Sequence, residues 1–242
     1  GEFPAAALTQ SLPAVEYIKL EMGSWPRLQQ PGPGLSLFRD LAQLRHLELV
    51  GESSDARGHA VPATMWRSLK SALALEVLIV NGCRTMPGLR RGLAAQLTRL
   101  HQVSITGSNK MLDDPDTWLF LAALPWLKSL KISWSTMQSA QLATAVFFVA
   151  GAPAVARLVD LTLDVQVTDV EESIAAALMS ASNLRTLTLR PCFRVTGACL
   201  AAMSPRLHTV RIECEVTRPV VEHFARLRLL RTLHAKLSPH CT

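Results

Sequence analysis

The sequence predicts an α/β solenoid in which short parallel strands form a concave sheet and helices cover its convex side. Three observations lead to this prediction. An aliphatic pattern recurs nine times, helix-start signals lie between its copies, and hydrophobic residues make up 49% of the 242 residues although aromatic residues make up only 5%. A core of aliphatic layers is typical of stacked repeats, in which each repeat buries its apolar face against the next.

The recurring pattern is L-x-x-L-x-L, where L stands for any aliphatic residue. Alternate side chains of a strand point to opposite faces, so the two aliphatic residues of x-L-x-L-x face the core and the flanking residues face solvent. Successive copies begin 23 to 31 residues apart. The nine copies begin at Val15, Leu44, Leu75, Leu100, Leu127, Leu158, Leu184, Leu207 and Leu230.

Helices are predicted in the segments between the strands. In four segments a capping residue, or a proline suited to the first turn of a helix, precedes apolar residues at helical spacing. These signals are Pro62, Asp113 or Asp114 with Pro115, Thr168 with Glu171, and Thr217 with Pro219. The helices that they predict run through Trp66 to Leu73, Trp118 to Leu121, Ile174 to Leu178, and Val221 to Leu227.

With this pattern the chain resembles the leucine-rich-repeat superfamily over residues 15 to 237. Two repeats, Leu75 to Cys83 and Leu184 to Cys192, resemble the cysteine-containing subtype found in F-box substrate receptors. The resemblance implies a horseshoe of about nine strands and, after each strand, a buried Cys or Asn that satisfies backbone groups of the turn. Other repeats carry different residues at that place, namely Glu52, Ser108, Ser135, Gln166, Glu215 and Ser238.

The repeats also set the predicted domain boundaries. Residues 1–14 are predicted to be an N-terminal extension or cloning-derived, residues 15–237 the repeat domain, and residues 238–242 a C-terminal tail. Five cysteines without C-x-x-C spacing indicate a reducing, intracellular setting, which is the cytoplasm with the nucleus as an open alternative. The apolar stretch from Ala140 to Val159 is interrupted by polar residues and prolines, and we expect a buried helix there rather than a membrane span.

No catalytic or cofactor-binding motif is recognisable, so the sequence predicts neither an enzyme nor a cofactor or metal site. Cys192, Cys199 and Cys214 are close enough along the chain to be considered as metal ligands, but Cys192 takes the turn position of its repeat and Cys199 the apolar face of a helix. Asp160 and Asp164 share one face of a predicted strand. They lie about 13 Å apart at roughly 3.3 Å per residue, too far for a catalytic pair.

An apolar spot is predicted on the solvent face of the sheet. The register places Val50, Val77 and Ile79 in adjacent rows, whereas the following rows are small and hydroxylic. Exposed apolar residues on a sheet are candidates for a protein contact. The alternative, that β-branched residues are there because they suit strands, stays open.

The positive charge of the chain is concentrated at its C-terminal end. Residues 1–183 contain 15 basic and 16 acidic residues, whereas residues 184–242 contain 10 and 3. On neighbouring predicted strands the basic residues are Arg190, Arg211, His234 and Lys236, interrupted only by Glu213. Because Arg binds carboxylate or phosphate through paired hydrogen bonds, this cluster predicts an acidic partner, with a solvated basic face as the alternative.

Three functions are compatible with these features. The first is a non-catalytic protein–protein interaction module, a scaffold or substrate receptor, that binds a partner protein through the concave sheet. The second is binding of nucleic acid or lipid headgroups through the basic end, although Tyr17 is the sole aromatic residue on the predicted concave face. The third is the targeting part of a larger enzyme or of a ubiquitin-ligase adaptor. The oligomeric state is left open by the sequence.

Overall fold

The computed structural model describes residues 14–21, 38, 41–51, 64–84, 86–134, 141–143, 146–147, 152–165, 181–190, 204–216 and 218–237. These residues form nine β-strands: β1 Tyr17–Glu21, β2 His46–Val50, β3 Val77–Asn81, β4 Gln102–Thr106, β5 Ser129–Trp134, β6 Asp160–Val165, β7 Thr186–Arg190, β8 Thr209–Val216 and β9 Thr232–Leu237. Their helices are α1 Thr64–Ser68, α2 Arg91–Ala94, α3 Asn109–Leu112, α4 Pro115–Ala123, α5 Ala152–Val155 and α6 Arg218–Phe224. A 3₁₀ turn over Leu69–Ser71 follows α1.

The chain divides into two compact units, residues 1–126 and residues 127–242. The first unit contains β1 to β4, and the second contains β5 to β9. Within each unit, strands that follow each other in the sequence are paired in parallel. Parallel neighbours joined through intervening turns and helices confirm the predicted α/β leucine-rich-repeat solenoid.

The aliphatic residues of the repeat pattern form the core, as predicted. In β2, Leu47 and Leu49 are fully buried, and the same two positions are buried in every strand from β3 to β8. Their counterparts are Leu78, Val80, Val103, Ile105, Leu130, Ile132, Leu161, Leu163, Leu187, Leu189, Val210 and Ile212. The inward positions are therefore filled by side chains that interlock between neighbouring repeats.

Burial is weaker in the first strand of unit one and in the last strand of unit two. Ile18 and Leu20 of β1 are half-buried. Leu233 of β9, predicted to point into the core, is 45% exposed. Among the described residues β9 pairs with β8 alone, so the inward face of this strand has a neighbouring repeat on one side and not on the other.

The helix predictions are confirmed for α4. Its cap is Asp114, whose Oδ1 accepts a hydrogen bond from the backbone N–H of Asp116 at 3.0 Å, and Pro115 takes the first helical position. Trp118 and Leu121 on this helix are buried. The helix predicted over residues 174–178 lies outside the described residues.

The helix predicted through Leu73 is shorter than expected. Helical structure ends at Ser71, and Leu73 is 56% exposed instead of buried. The backbone leaves the helix at Ala72, whose N–H still donates to the Leu69 carbonyl, so that Leu75 reaches its buried position ahead of β3. The spacing of apolar residues alone overestimated this helix by two residues. In α6, Phe224 is buried as expected, whereas Val221 is 38% exposed.

Two glycines allow the turns after β2 and β3 to approach each other. The N–H of Gly51 donates to the Asn81 carbonyl at 2.7 Å, and the N–H of Gly82 donates to the Thr106 carbonyl at 2.8 Å. A Cβ on Gly51 would collide with the carbonyl group of Gly82, and Gly82 itself has a φ of +69°. Both positions therefore require glycine, one for space and one for conformation.

Buried side chains satisfy the next backbone groups of the same turns. Cys83 is buried and its N–H donates to Ser108 Oγ at 3.1 Å, while the Ser108 hydroxyl donates to the Thr106 carbonyl at 3.2 Å. Burial raises the pKa of the Cys83 thiol to about 11, so the thiol stays protonated at neutral pH. Cys83 thus occupies the place that the family resemblance implied, and in the following repeat a serine does so.

The predicted strand register is confirmed except at one place. Lys19, Glu48, Ile79 and Ser104 form one row in unit one, and unit two has the corresponding row of Lys131, Thr162, Thr188, Arg211 and His234. Lys236 was predicted beside Glu213, but a register shift after Ile212 pairs it with Glu215. The cause is a bulge, because Glu213 and Cys214 are additional residues in β8 without partners in β9. Ser104, predicted to face solvent, is buried instead, at 9% exposure.

Replacing Ser108 by alanine is expected to lower the free energy of unfolding by about 1–3 kcal/mol, because the buried N–H of Cys83 loses its acceptor. Urea denaturation measures this change. The control is Ser133→Ala on the solvent face of β5, where we expect a change of no more than about 0.5 kcal/mol. Equal destabilisation by the two substitutions would contradict the role assigned to Ser108.

Candidate interaction surfaces

The structure brings together the three apolar residues that the sequence singled out on the solvent face of unit one. Val77 and Ile79 are alternate residues of β3. Val50 of β2 is diagonal to Ile79, because Glu48 is the residue directly paired with Ile79 and Val50 is paired with Asn81. All three side chains are half-buried, so each retains surface for a contact. We call these three residues the apolar spot.

A group of polar and aromatic side chains borders the apolar spot on β1 and β2. The Tyr17 hydroxyl donates to Glu48 Oε2 at 2.9 Å, and Lys19 Nζ lies 3.7 Å from Glu48 Oε1. The Tyr17 ring is tilted against the His46 ring, with 4.7 Å between the centroids. The Tyr17 side chain is therefore fixed in direction although 53% of it is exposed.

The repeat pattern did not single out this group, although the predicted register placed its residues in neighbouring rows. Tyr17 is paired with His46, and Lys19 is paired with Glu48, in the rows predicted from the repeat. What the pattern did not indicate is that Tyr17 reaches diagonally to Glu48. Its hydrogen bond to that carboxylate raises the pKa of Tyr17, because ionisation would bring two negative charges together and break the bond.

In unit two, one carboxylate lies between the two arginines that were predicted to attract an acidic partner. Glu213 Oε1 is 2.9 Å from Arg211 Nε and also 2.9 Å from Arg190 Nε. The N–H of Arg211 is directed at the carboxylate and donates a hydrogen bond. The N–H of Arg190 is not aligned with it, so this buried nitrogen has a close opposite charge but no hydrogen-bond acceptor among the described residues.

Glu213 therefore does more than interrupt the predicted basic cluster. It compensates one of the two positive charges and holds the guanidinium groups near each other, which leaves a net charge of +1 on the three side chains. His234 is exposed and is paired in register with Arg211. Lys236 is displaced along β9 by the bulge in β8, and its side chain lies outside the described residues.

The remaining candidate residues form no reactive group in the part of the chain that the structure describes. Cys192 and Cys199 lie outside it, as does the side chain of Cys214. Within it, no three His, Cys, Asp or Glu side chains are placed to hold a metal ion. Asp160 and Asp164 are half-buried on one face of β6, where Asp164 is paired in register with Arg190. No helix over the described ranges has the length and apolar character to cross a membrane.

Comparison with known proteins gives similarity in structure alone. No family model and no curated protein sequence matches the chain. Among solved structures 51 chains match, and one is an internalin from Listeria monocytogenes. It is 16% identical, with a TM-score of 0.48 over 84% of this chain and 52% of the internalin. The chain thus spans about half the length of that protein, and the fold assignment rests on the parallel strands and their register.

Tyr17 is expected to titrate above the ordinary tyrosine pKa of about 10, and Glu48→Gln is expected to lower its pKa because the neighbouring carboxylate is removed. Since the sequence contains a single tyrosine, the ultraviolet absorbance of its phenolate reports on this residue alone. Glu76→Gln removes a carboxylate that pairs with Arg45 instead, and it is the matched control. A Tyr17 pKa that is equal in the Glu48→Gln variant and the unmodified chain would show that the bond is not formed.

Proposed function

We propose that this chain is a non-catalytic protein–protein interaction module, a scaffold or substrate receptor, that binds a partner protein through the solvent face of its parallel strands. The observation that carries the proposal is the apolar spot of unit one beside the exposed, oriented ring of Tyr17. Apolar and aromatic residues that are held in place before binding lose little conformational entropy in a complex. Such residues are typical of the energetic centre of protein interfaces.

The border of the apolar spot also suits a protein contact. Interfaces typically have an apolar centre and a polar rim that stays hydrated. Here Glu48 and Lys19 provide paired charges on one side, and on the other side the half-buried Gln102 and Thr106 belong to β4. Asn81, next to Val50, accepts a hydrogen bond from the Thr106 hydroxyl at 2.9 Å, which orders this part of the rim.

A second contact zone in unit two would bind acidic residues of the partner. It consists of Arg190, Arg211, His234 and Lys236. Glu213 uses one Nε–H of Arg211, which leaves the terminal N–H groups of both guanidinium groups available for carboxylates. Because Glu213 already compensates part of the charge, the zone is expected to select a well-placed carboxylate rather than any anionic surface.

The remaining features are consistent with an intracellular receptor of this kind. We infer that residues 15–237 form one repeat domain, that its cysteine-containing repeats resemble those of F-box substrate receptors, and that the protein acts in the cytoplasm. The five cysteines, which have no C-x-x-C spacing, support a setting in which cysteines stay reduced.

The experiment captures partners from cell extract with the unmodified chain and with two variants. Ile79→Asp introduces a charge into the apolar spot and is expected to weaken partner binding by about tenfold or more. Arg211→Glu is expected to release partners that bind through carboxylates. Thr162→Asp is the matched control, because it introduces the same charge in the corresponding row of unit two.

Near-ultraviolet circular dichroism verifies that each variant is folded. If both Ile79→Asp and Arg211→Glu retain every partner of the unmodified chain, the proposal for the solvent face is wrong. Loss of partners with Arg211→Glu alone would leave the second contact zone of unit two as the binding surface and exclude the apolar spot.

A further inference from the structure

Basic side chains follow one another along the turns that precede the strands of unit two. We call this row the turn edge. Its members are Lys128, Arg157, Arg185, Arg206, His208, Arg226, Arg228 and Arg231. The described turn residues among which they lie, 127–128, 156–159, 181–185, 204–208 and 225–231, contain no Asp or Glu. These described turns therefore carry basic side chains and no acidic ones.

Backbone hydrogen bonds hold the turn edge in line. The N–H of Arg185 donates to the Val159 carbonyl at 2.8 Å, that of His208 to the Arg185 carbonyl at 2.9 Å, and that of Arg231 to the His208 carbonyl at 2.8 Å. The N–H of Val159 donates to the Lys128 carbonyl at 2.7 Å. The parallel ladder thus begins one residue before the strands, and at this level the backbones of neighbouring repeats are about 4.8 Å apart.

Arg206 is oriented by neutral groups rather than by a carboxylate. Its Nη1 donates to Asn183 Oδ1 at 2.8 Å, and Asn183 Nδ2 donates to the Ala156 carbonyl at 2.8 Å. In the same turn Ser204 Oγ accepts from the Arg206 N–H at 3.2 Å and donates to the Ser182 carbonyl at 3.0 Å. These bonds join three consecutive repeats and fix the guanidinium group while its charge remains uncompensated.

Four arginines of the described chain that lie outside the turn edge have acidic partners. Arg45 lies 3.9 Å from Glu16 and 3.5 Å from Glu76, and Arg90 is paired with Asp116. On the solvent face of unit two, Arg190 and Arg211 share Glu213. By contrast, Arg185, Arg206, Arg228 and Arg231 are exposed, and the described residues give them no carboxylate partner. Within the described part of unit two, these four arginines carry exposed positive charge that is available to a ligand.

We propose that the turn edge is a second interaction surface, separate from the solvent face of the sheet, and that it binds an acidic polypeptide segment lying across the repeats. Guanidinium groups in a row match carboxylates along an extended chain through paired, charge-assisted hydrogen bonds. The exposed apolar residues near its end are the aliphatic Val221 and Leu229, at 38% and 49% exposure. Aliphatic side chains can pack against those of a peptide, so this end of the turn edge offers apolar contact beside its positive charges.

The test measures binding of a fluorescein-labelled peptide of Glu and Asp residues by fluorescence anisotropy. The combined substitution Arg185→Glu, Arg206→Glu and Arg231→Glu is expected to weaken binding by about tenfold or more, because attraction is replaced by repulsion at three exposed sites. The matched control reverses three exposed charges of unit one, Arg67→Glu, Arg99→Glu and Lys110→Glu. Arg99 has the same place in its repeat as Arg206, and the control is expected to bind within about twofold of the unmodified chain.

Three results would overturn the proposal: no binding of the acidic peptide, equal weakening by the control, or tighter binding of an oligothymidylate or of phosphatidylserine vesicles than of the peptide. If the triple glutamate variant does not fold, the triple glutamine variant at the same positions replaces it, with an expected loss of about threefold. No loss in that variant would equally exclude the turn edge. Ile79→Asp is expected to leave peptide binding unchanged, so failure of the proposal for the solvent face is distinguishable from failure here.

Discussion

Each repeat depends on its neighbours to bury the aliphatic residues of its strand. One strand of this chain presents two such residues to the interior, and a single repeat has no second layer against which to pack them. Leu47 and Leu49 are fully buried between flanking strands, whereas Leu233, in a strand that pairs with β8 alone among the described residues, is 45% exposed. Parallel stacking in register is therefore the constraint from which the other features follow. It determines which turns require glycine and which backbone groups Ser108 must bond. It also determines the rows in which solvent-facing side chains lie.

In this stacked arrangement, the positions of a few neutral and acidic side chains determine which arginines carry a charge that a binding partner can use. Glu213 takes up one hydrogen bond of Arg211 and compensates charge near Arg190. At the turns, Asn183 orients Arg206 but leaves its charge intact. A count of charges in the sequence does not distinguish these arginines from one another. Their surroundings instead separate a partly compensated zone on the solvent face from a row along the turns whose described residues include no Asp or Glu.

The repeat pattern predicted what depends on strand periodicity. Side chains of a strand alternate with period two, so locating the aliphatic pair placed the neighbouring residues on a face and in a row. The same pattern gave the residues of the apolar spot and of the second contact zone. The cap and proline before Trp118 predicted α4 for a local reason, since both act within one turn of the helix start.

Features that depend on the path of the backbone or on side-chain reach were not predictable in this way. Because of the bulge in β8, Lys236 is paired with Glu215 instead of Glu213, and no turn residue in the sequence indicates a bulge there. The diagonal bond from Tyr17 to Glu48 and the bridge at Glu213 depend on rotamers. The turn edge required knowledge of how consecutive turns align, because its members come from five separate turns.

The register of the stacked strands is tested most directly by pairs of introduced cysteines. Glu48→Cys with Ile79→Cys joins directly paired residues of β2 and β3, about 4.8 Å apart, within the Cα–Cα range of a disulfide. Glu48→Cys with Asn81→Cys joins residues two positions out of register, about 8 Å apart and beyond that range. Peptide mapping after mild oxidation is predicted to find the disulfide in the first pair and not in the second. A disulfide that forms in the second pair in preference to the first would contradict the register and, with it, the surfaces derived from it.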